Sequence, residues 1–296
     1  MSLPSFAAAD LFGLKGAVAL VTGGGTGIGL YASRALAANG ARVFITGRRE
    51  EKLKDAAEVH GQGLAGELIP LPLDVTNKDE LTKVAKEIQQ REGKLHILIN
   101  NAGIAGPKTK FESEVKGAEE YASAHLKSED FEQWDALFRT NVASVFFTTM
   151  AFLPLLESGL KSPPRQGFTP AVVNITSISG IVKQSQNHFA YNSSKAAASH
   201  LTRMLAHELN FGHKATVGIR VNAIAPGLFP SEMTGPESRK GGHSLPEDID
   251  MKPANGRVGT AEEMASAILF ASTNTFLQGQ VIPVDGGWTT AVPSAA

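Results

Sequence analysis

The stretch AVALVTGGGTGIG, residues 17–29, decides the predicted fold. Its first six residues, 17–22, predict a buried strand, and the glycines that follow allow a tight turn into a helix over residues 29–39. Such a turn brings backbone N–H groups against a pyrophosphate at the helix N-terminus. The run GIGLYA, residues 27–32, satisfies the dinucleotide-binding pattern G-x-G-x-x-G/A, so we expect a nucleotide at the end of this strand.

Short apolar runs alternate with longer helical patterns along the rest of the chain. This alternation predicts a parallel sheet of about seven strands with helices on both faces, a doubly wound α/β fold. Residues 1–15 are expected to form an N-terminal extension, and residues 16–296 one catalytic domain. The predicted strands cover residues 17–22, 42–46, 68–75, 95–100, 171–176, 217–225 and 281–284, and the helices residues 29–39, 50–60, 79–92, 131–157, 191–210 and 261–272.

Three polar segments interrupt the alternation. Residues 104–130 form an insertion that we expect to shape the substrate mouth, and the Pro/Gly-rich residues 157–170 predict a surface excursion. Residues 228–259 follow a strand end, where ligands bind in such folds, so we interpret them as a substrate lid that becomes ordered when ligand binds. A mobile loop without a gating role is the alternative.

A second motif, YNSSK at residues 191–195, opens an amphipathic run. Tyr191 and Lys195 are four residues apart, which places them on one face of a helix. The lysine charge would lower the tyrosine pKa from about 10, making a group that exchanges protons near neutral pH. An ordinary solvated surface pair is the alternative, but only Tyr191 of the three tyrosines has a lysine four residues on.

Residues after the second and third strands indicate which nucleotide binds. Gly47 stands where an acid, about 20 residues beyond the glycine turn, would bind the ribose 2′-hydroxyl of NAD. Arg48 and Arg49 follow and favour a 2′-phosphate, hence NADP(H), with one arginine expected to face solvent. Asp74 is placed for the adenine edge or serves as a turn residue. NNAG at residues 100–103 ends the fourth strand and allows a ligand to approach closely, but it also suits any strand-end turn.

Composition excludes several classes of protein. The 296 residues are 42% hydrophobic, which suits a globular core, and the net charge of -1 argues against nucleic-acid binding. The absence of cysteine excludes disulfides and thiolate metal sites, and the eight histidines show no metal-ligand spacing. With no secretory signal and no apolar run of the ~20 residues that a membrane span needs, we expect a cytoplasmic protein without a bound metal.

In order along the chain, these motifs resemble those of the short-chain dehydrogenase/reductase family, over residues 16–288. The resemblance implies a Rossmann-like fold and an NADP(H)-dependent oxidoreductase that reversibly reduces a ketone to a secondary alcohol. It rests on TGGGTGIG at residues 22–29, Asp74, NNAG at 100–103, Asn141, NITSISG at 174–180, YNSSK at 191–195, VNAIAPG at 221–227 and GQVIPVDGG at 279–287.

The resemblance implies four catalytic residues. Tyr191 would be the general acid in reduction and the base in oxidation. Lys195 would lower its pKa and bind the nicotinamide ribose hydroxyls. Ser177 would donate a hydrogen bond to the substrate carbonyl, and Asn141 would hold a water that links Lys195 to bulk solvent.

This chain departs from the family pattern in one spacing. Ser177 lies 14 residues before Tyr191, one more than expected, so Ser179 is a rival for the catalytic position. Gly180 keeps the family register and favours Ser177. The run PGLFPSEMT at residues 226–234 resembles rhamnolipid-type 3-oxoacyl reductases.

The resemblance also implies cofactor contacts. Ile224 would meet the nicotinamide carboxamide through its backbone, and Ser231 stands where the family usually has threonine. The expected cofactor-binding residues are Gly23, Thr26, Gly27, Ile28, Gly29, Arg48, Asp74, Val75, Asn101, Ala102, Gly103, Tyr191, Lys195, Ile224, Pro226, Gly227 and Ser231.

Several alternatives remain at the level of sequence. A homo-oligomer, dimer or tetramer, follows from the resemblance, with a packed monomer as the alternative. A non-catalytic NADP(H)-sensing protein and an enoyl reductase or dehydratase are the competing functions. The substrate is expected to be a small carbonyl or alcohol.

Overall fold

The computed structural model describes residues 5–111, 114–212, 217–232 and 253–293. Within these ranges one sheet of seven parallel strands has the order β3-β2-β1-β4-β5-β6-β7, which confirms the doubly wound, Rossmann-like fold. The strands are β1 (Val18–Thr22), β2 (Arg42–Gly47), β3 (Glu67–Pro72), β4 (Ile97–Asn100), β5 (Ala171–Ile175), β6 (Arg220–Pro226) and β7 (Val281–Val284).

Helices cover both faces of the sheet. They are α1 (Ala8–Phe12), α2 (Gly27–Ala38), α3 (Glu50–His60), α4 (Lys78–Glu92), α5 (Ala118–Ser128), α6 (Phe131–Phe138), α7 (Ser144–Lys161), α8 (Phe189–His207), α9 (Ala261–Thr273) and α10 (Trp288–Ala291). Successive residues of each strand face opposite sides of the sheet, so they pack into two separate hydrophobic cores. On β1, Ala19 and Val21 pack beneath α2, α3 and α9, while Val18 and Leu20 pack beneath α4, α7 and α8. A strand buried on both faces is continuously apolar, as the sequence of β1 is.

The predicted long helix over residues 131–157 is wrong in two respects. A π-helical turn, Arg139–Ala143, separates α6 from α7, and α7 continues to Lys161. The expected surface excursion therefore begins inside a helix. The backbone stays right-handed helical on both sides of this turn, and no glycine or proline lies between residues 131 and 144, so the sequence carries no helix-breaking signal there.

The expected extension and insertion also hold helices. The extension contains α1, and the insertion contains α5. Neither helix has a buried residue, so neither leaves the apolar stripe by which a helix is recognised in a sequence.

Within the described residues, Phe131–Lys161 is the one helical stretch that is long and apolar enough to cross a membrane. Phe152, Leu155 and Leu156 of this stretch pack against the sheet. A core helix passes the same test of length and composition, so this stretch does not show a membrane span.

A buried polar clamp holds α8 against the middle of the sheet. Asn100 Nδ2 at the end of β4 donates to Asn174 Oδ1 on β5 at 2.9 Å and to Thr149 Oγ1 on α7 at 3.1 Å. Asn174 Nδ2 donates in turn to Thr202 Oγ1 on α8 at 2.9 Å. Because buried amides must find partners, this chain of hydrogen bonds fixes how α8 lies on β4 and β5.

Arg220 is buried at the start of β6 and joins three elements. Its guanidinium donates to the Thr169 hydroxyl and carbonyl before β5 at 2.9 and 3.0 Å. It also donates to the carbonyls of Ala271, Ser272 and Asn274 at the end of α9, at 3.0, 2.7 and 2.9 Å. Burial lowers the pKa of Arg220 to about 10, so the side chain stays charged at neutral pH.

We expect Arg220→Met to destabilise the fold by about 3 kcal/mol, because it leaves buried carbonyls without donors. Urea unfolding measures this loss as a lower midpoint at unchanged slope. Arg203→Met on the exposed face of α8 is the matched control. Equal midpoints for the two variants would contradict a structural role for Arg220.

Candidate active site

The carboxyl ends of the strands open into one cavity of about 820 Å³. Its floor lies outside β1 and β4, where the strand order reverses and open α/β sheets bind ligands. The volume is within the range of small-molecule sites. The position and size of the cavity suit an extended ligand that crosses the sheet edge.

The glycine turn after β1 forms the first wall of the cavity. A side chain at Gly29 would collide with the Gly23 carbonyl oxygen, and Gly23 itself has a φ of +64°. Asn101 Nδ2 donates to the carbonyls of Thr22 and Gly23 at 2.9 and 3.1 Å, which fixes the turn against the end of β4. The first turn of α2 thus presents backbone N–H groups to the cavity, as anion binding requires.

Basic side chains line the end of the cavity beyond β2. Arg48, Arg49 and Lys52 all contact it. Asp74 lies opposite: burial works against ionisation of its carboxyl, but hydrogen bonds from the Thr76 amide and hydroxyl, with the Arg48 charge, hold its pKa below the usual value. This end of the cavity thus combines three basic side chains with the ionised carboxylate of Asp74.

The Arg49 side chain is partly exposed and forms an ion pair with Glu232, which lies on the other side of the cavity. Its Nη2 lies 2.6 Å from Glu232 Oε2, just beyond the end of β6. The Thr26 hydroxyl donates to the same carboxylate at 3.4 Å. Both partners of the ion pair line the cavity.

Tyr191 and Ser177 meet at the opposite end of the cavity. Burial raises the pKa of Tyr191, and a hydrogen bond with the Ser177 side chain opposes this rise in part. Ser177 Oγ also caps the short 3₁₀ turn Ile178–Gly180 by accepting from the Ser179 amide at 3.1 Å. Of the two serines considered in the sequence, only Ser177 lines the cavity beside the phenol.

Lys195 lies beneath Tyr191 and is 5% exposed. Its Nζ donates to the Ile175 carbonyl at 3.0 Å and lies 5.7 Å from the centre of the Tyr191 ring. Burial lowers the pKa of Lys195 to about 8. The structure therefore differs from the expected depression of the tyrosine pKa: the ammonium points to a backbone carbonyl, and burial disfavours the phenolate.

Asn141 stands in the π-helical turn behind this pair. Its Oδ1 accepts from the Ile104 amide at 2.9 Å, and its Nδ2 donates to the Ile104 carbonyl at 3.0 Å and to Ser194 Oγ at 3.1 Å. The π-helical turn aims one amide side chain at both the loop after β4 and at α8. Asn141 thus braces the wall of the site and does not itself line the cavity.

Most of the expected cofactor-binding residues line the cavity, and one does not. Ile224 is fully buried inside β6, and its carbonyl accepts from the amide and hydroxyl of Thr176 at 2.8 and 3.1 Å. Phe229 lines the cavity near that strand end instead. The other expected residues that contact it are Gly23, Thr26, Gly27, Ile28, Gly29, Arg48, Asp74, Val75, Asn101, Ala102, Gly103, Tyr191, Lys195, Pro226, Gly227 and Ser231.

Three residues of the site were not predicted from the sequence, two at the basic end of the cavity and one beside Tyr191. The sequence gave no sign that Glu232 pairs with Arg49, and Arg48 lies before α3, so helical spacing did not relate Lys52 to it. His188 stacks on Tyr191 with ring centres 5.2 Å apart. Its position three residues before Tyr191 was the available sign.

The expected lid falls largely on residues 233–252, which lie outside the described residues. The described ends of this segment meet: the Gly259 amide donates to the Leu228 carbonyl at 2.8 Å. A side chain at Gly259 would collide with the Phe229 ring. In the part of the chain that the structure describes, no group of three or more His, Asp or Glu residues could hold a metal ion.

The sequence and the fold both match known dehydrogenases and reductases. The profile of the family described as short chain dehydrogenase matches residues 17–241. The short-chain dehydrogenase/reductase PhomF of Diaporthe leptostromiformis is 36% identical over 99% of this chain and 98% of its own length. The rhamnolipids biosynthesis 3-oxoacyl-[acyl-carrier-protein] reductase of Pseudomonas aeruginosa is 36% identical over 94% of this chain and 98% of its own.

A solved structure described as the Pseudomonas aeruginosa RhlG/NADP active-site complex superposes with a TM-score of 0.75. It is 33% identical and covers 94% of this chain and 98% of its own. A profile match over most of the chain, together with relatives of this identity and coverage, shows that the chain belongs to the short-chain dehydrogenase/reductase family.

Proposed function

We propose that this enzyme reduces a ketone to a secondary alcohol with NADPH, and runs in reverse with NADP⁺. The observation that carries the proposal is the Tyr191 phenol, which lines, together with Ser177, the cavity that also contains the glycine turn. A proton donor at one end and an anion cradle at the other are what such a reaction needs from a protein.

The residues of the cavity fit a dinucleotide. The glycine turn leaves room for a pyrophosphate at the start of α2, and Arg48 and Arg49 supply charge for a 2′-phosphate. The bound nicotinamide would supply the hydride. The similar Pseudomonas aeruginosa structure is described as a complex with NADP, which supports the same choice here.

Tyr191 would give its proton to the substrate oxygen as the alcohol forms. A raised pKa suits this role, because it keeps the phenol protonated at neutral pH. Ser177 would donate a hydrogen bond to the same oxygen, stabilising the negative charge that develops there. The Lys195 ammonium would hold ribose hydroxyls and restore the proton, with Asn141 bracing the path through Ile104 and Ser194.

The names of the relatives support carbonyl reduction over the competing functions. One is a 3-oxoacyl reductase, and a Thermotoga maritima relative, 32% identical over 93% of this chain, has the same name. We also propose a homo-oligomer in a reducing compartment. Exposed apolar side chains on α7 and α8, among them Phe146, Phe147 and Met204, and the absence of cysteine support this.

The first prediction concerns the cofactor. NADPH should exceed NADH in kcat/KM by at least about tenfold, and Arg48→Asp should reduce kcat/KM for NADPH far more than for NADH. A carboxylate at this position repels a 2′-phosphate and accepts a hydrogen bond from a 2′-hydroxyl. Steady-state kinetics with both cofactors measure the effect, and equal wild-type values would rule out the assignment.

The second prediction concerns the proton donor. Tyr191→Phe removes only the phenolic oxygen, so kcat should fall by ~10²-fold or more while NADPH still binds. The assay is NADPH oxidation with 3-oxoacyl thioesters, steroidal ketones and quinones, beside matched enones that would report enoyl reduction. Near-normal turnover by Tyr191→Phe with intact NADPH binding would refute the mechanism.

The third prediction concerns pH. Reductive kcat/KM should be level below about pH 7 and fall as pH rises through about 8, because Lys195 loses its ammonium charge there. Tyr191, whose pKa burial raises, stays protonated over this range. Unfolding midpoints at each pH exclude denaturation as the cause. In Lys195→Met the residual rate should lack this decline; an unchanged decline would assign the titration to another group.

A further inference from the structure

The ion pair between Arg49 and Glu232 crosses the basic end of the cavity. The partners are 183 residues apart in the chain: Arg49 follows β2 and begins α3, and Glu232 follows β6. Besides the 2.6 Å contact, Arg49 Nη1 lies 3.5 Å from Glu232 Oε1. The guanidinium therefore faces both oxygens of one carboxylate.

Neighbouring contacts hold Glu232 in this place. Ser231 lies over Gly27, because a Cβ atom added at Gly27 would lie 3.0 Å from Ser231 Cβ. The Tyr31 hydroxyl donates to the Pro230 carbonyl at 3.1 Å. The segment 230–232 thus rests on the glycine turn, and the carboxylate is positioned by its backbone rather than by the ion pair alone.

A carboxylate and a phosphate use the same face of an arginine. Both accept paired N–H groups of a guanidinium, so Arg49 cannot serve Glu232 and a 2′-phosphate with the same donors. Two anions bound to one guanidinium would also repel each other. One of them must yield when an NADP(H) molecule binds.

We propose that Glu232 sets the affinity for NADP(H) by competing with the 2′-phosphate for Arg49. This inference rests on the proposed function and assigns to Arg49 the 2′-phosphate contact, shared with Arg48. Glu232 acts as an internal substitute for the phosphate and weakens binding of the phosphorylated cofactor. It has little effect on NAD(H), which brings no anion to Arg49.

Glu232→Gln tests the competition directly. It keeps the shape of the side chain and removes the charge. Binding of NADP⁺ should tighten by about threefold, the scale that an exposed ion pair allows, while binding of NAD⁺ stays within error. Isothermal titration calorimetry of both cofactors measures this, and Glu87→Gln, which removes a carboxylate paired with Arg91 on α4 at 3.1 Å, is the control.

The dependence of NADP⁺ affinity on ionic strength gives a second test of the competition. With Arg49 released, NADP⁺ binding by Glu232→Gln should weaken more steeply with ionic strength than wild-type binding, since one more cation meets the phosphate unneutralised. Introducing Glu232→Gln into the Arg49→Gln variant then tests whether Glu232 acts through Arg49. There Glu232→Gln should tighten NADP⁺ binding much less than in the wild-type background, because the shared partner is gone and only the direct repulsion between the two anions is relieved.

Each outcome separates this inference from the proposed function. Wild-type preference for NADP⁺ with no gain in Glu232→Gln overturns the inference and leaves the function standing. Equal gains for NAD⁺ and NADP⁺, or a full gain in the Arg49→Gln background, place the competition at the pyrophosphate and overturn it as well. A wild-type protein that binds neither cofactor refutes the proposed function itself.

Discussion

The hydrogen bond from Lys195 Nζ to the Ile175 carbonyl is the contact on which the geometry of the site depends. A buried ammonium needs a hydrogen-bond acceptor, and here the acceptor is the carbonyl oxygen of Ile175, the last residue of β5. The bond therefore fixes the start of α8 to the carboxyl edge of the sheet. Gly180 allows the approach, because a side chain there would come within 2.6 Å of the α8 backbone. The phenol of Tyr191 and the Ser177 hydroxyl meet as a consequence of this packing.

The cavity divides into two electrostatic environments, and the division follows from burial. At the reactive end, burial shifts both Tyr191 and Lys195 toward their neutral forms. At the other end, Arg49 and Glu232 are 59% and 42% exposed at their side chains, and solvent screens their charges. In the proposed mechanism, the proton would be transferred where burial disfavours charge, and an anion would bind where solvent screens the charges.

The sequence predicted the fold well because its evidence is periodic. Seven apolar runs and the helices between them are repeated signals, and small errors at their ends do not alter the order of the strands. Of the site, the sequence predicted only the residues that lie in recognisable motifs. The spacing of Tyr191 and Lys195 placed them on one face but did not show that the ammonium points to Ile175. Likewise, the motif containing Ile224 gave no sign that Phe229, and not Ile224, lines the cavity. The pairing of Glu232 with Arg49 joins residues far apart in the chain, so no local sequence pattern reveals it.

The strand order has a consequence for how the protein avoids association through its sheet. The two edges are β3 and β7, and every unpaired N–H on an edge is a template for a foreign strand. Both edges contain proline: Pro70 and Pro72 on β3, and Pro283 on β7. Proline lacks an N–H, so each edge interrupts the ladder that an added strand would need. β7 pairs with Ala223–Pro226 of the fully buried strand β6, so this four-residue strand completes the pairing at the end of β6 and itself presents an edge that Pro283 interrupts.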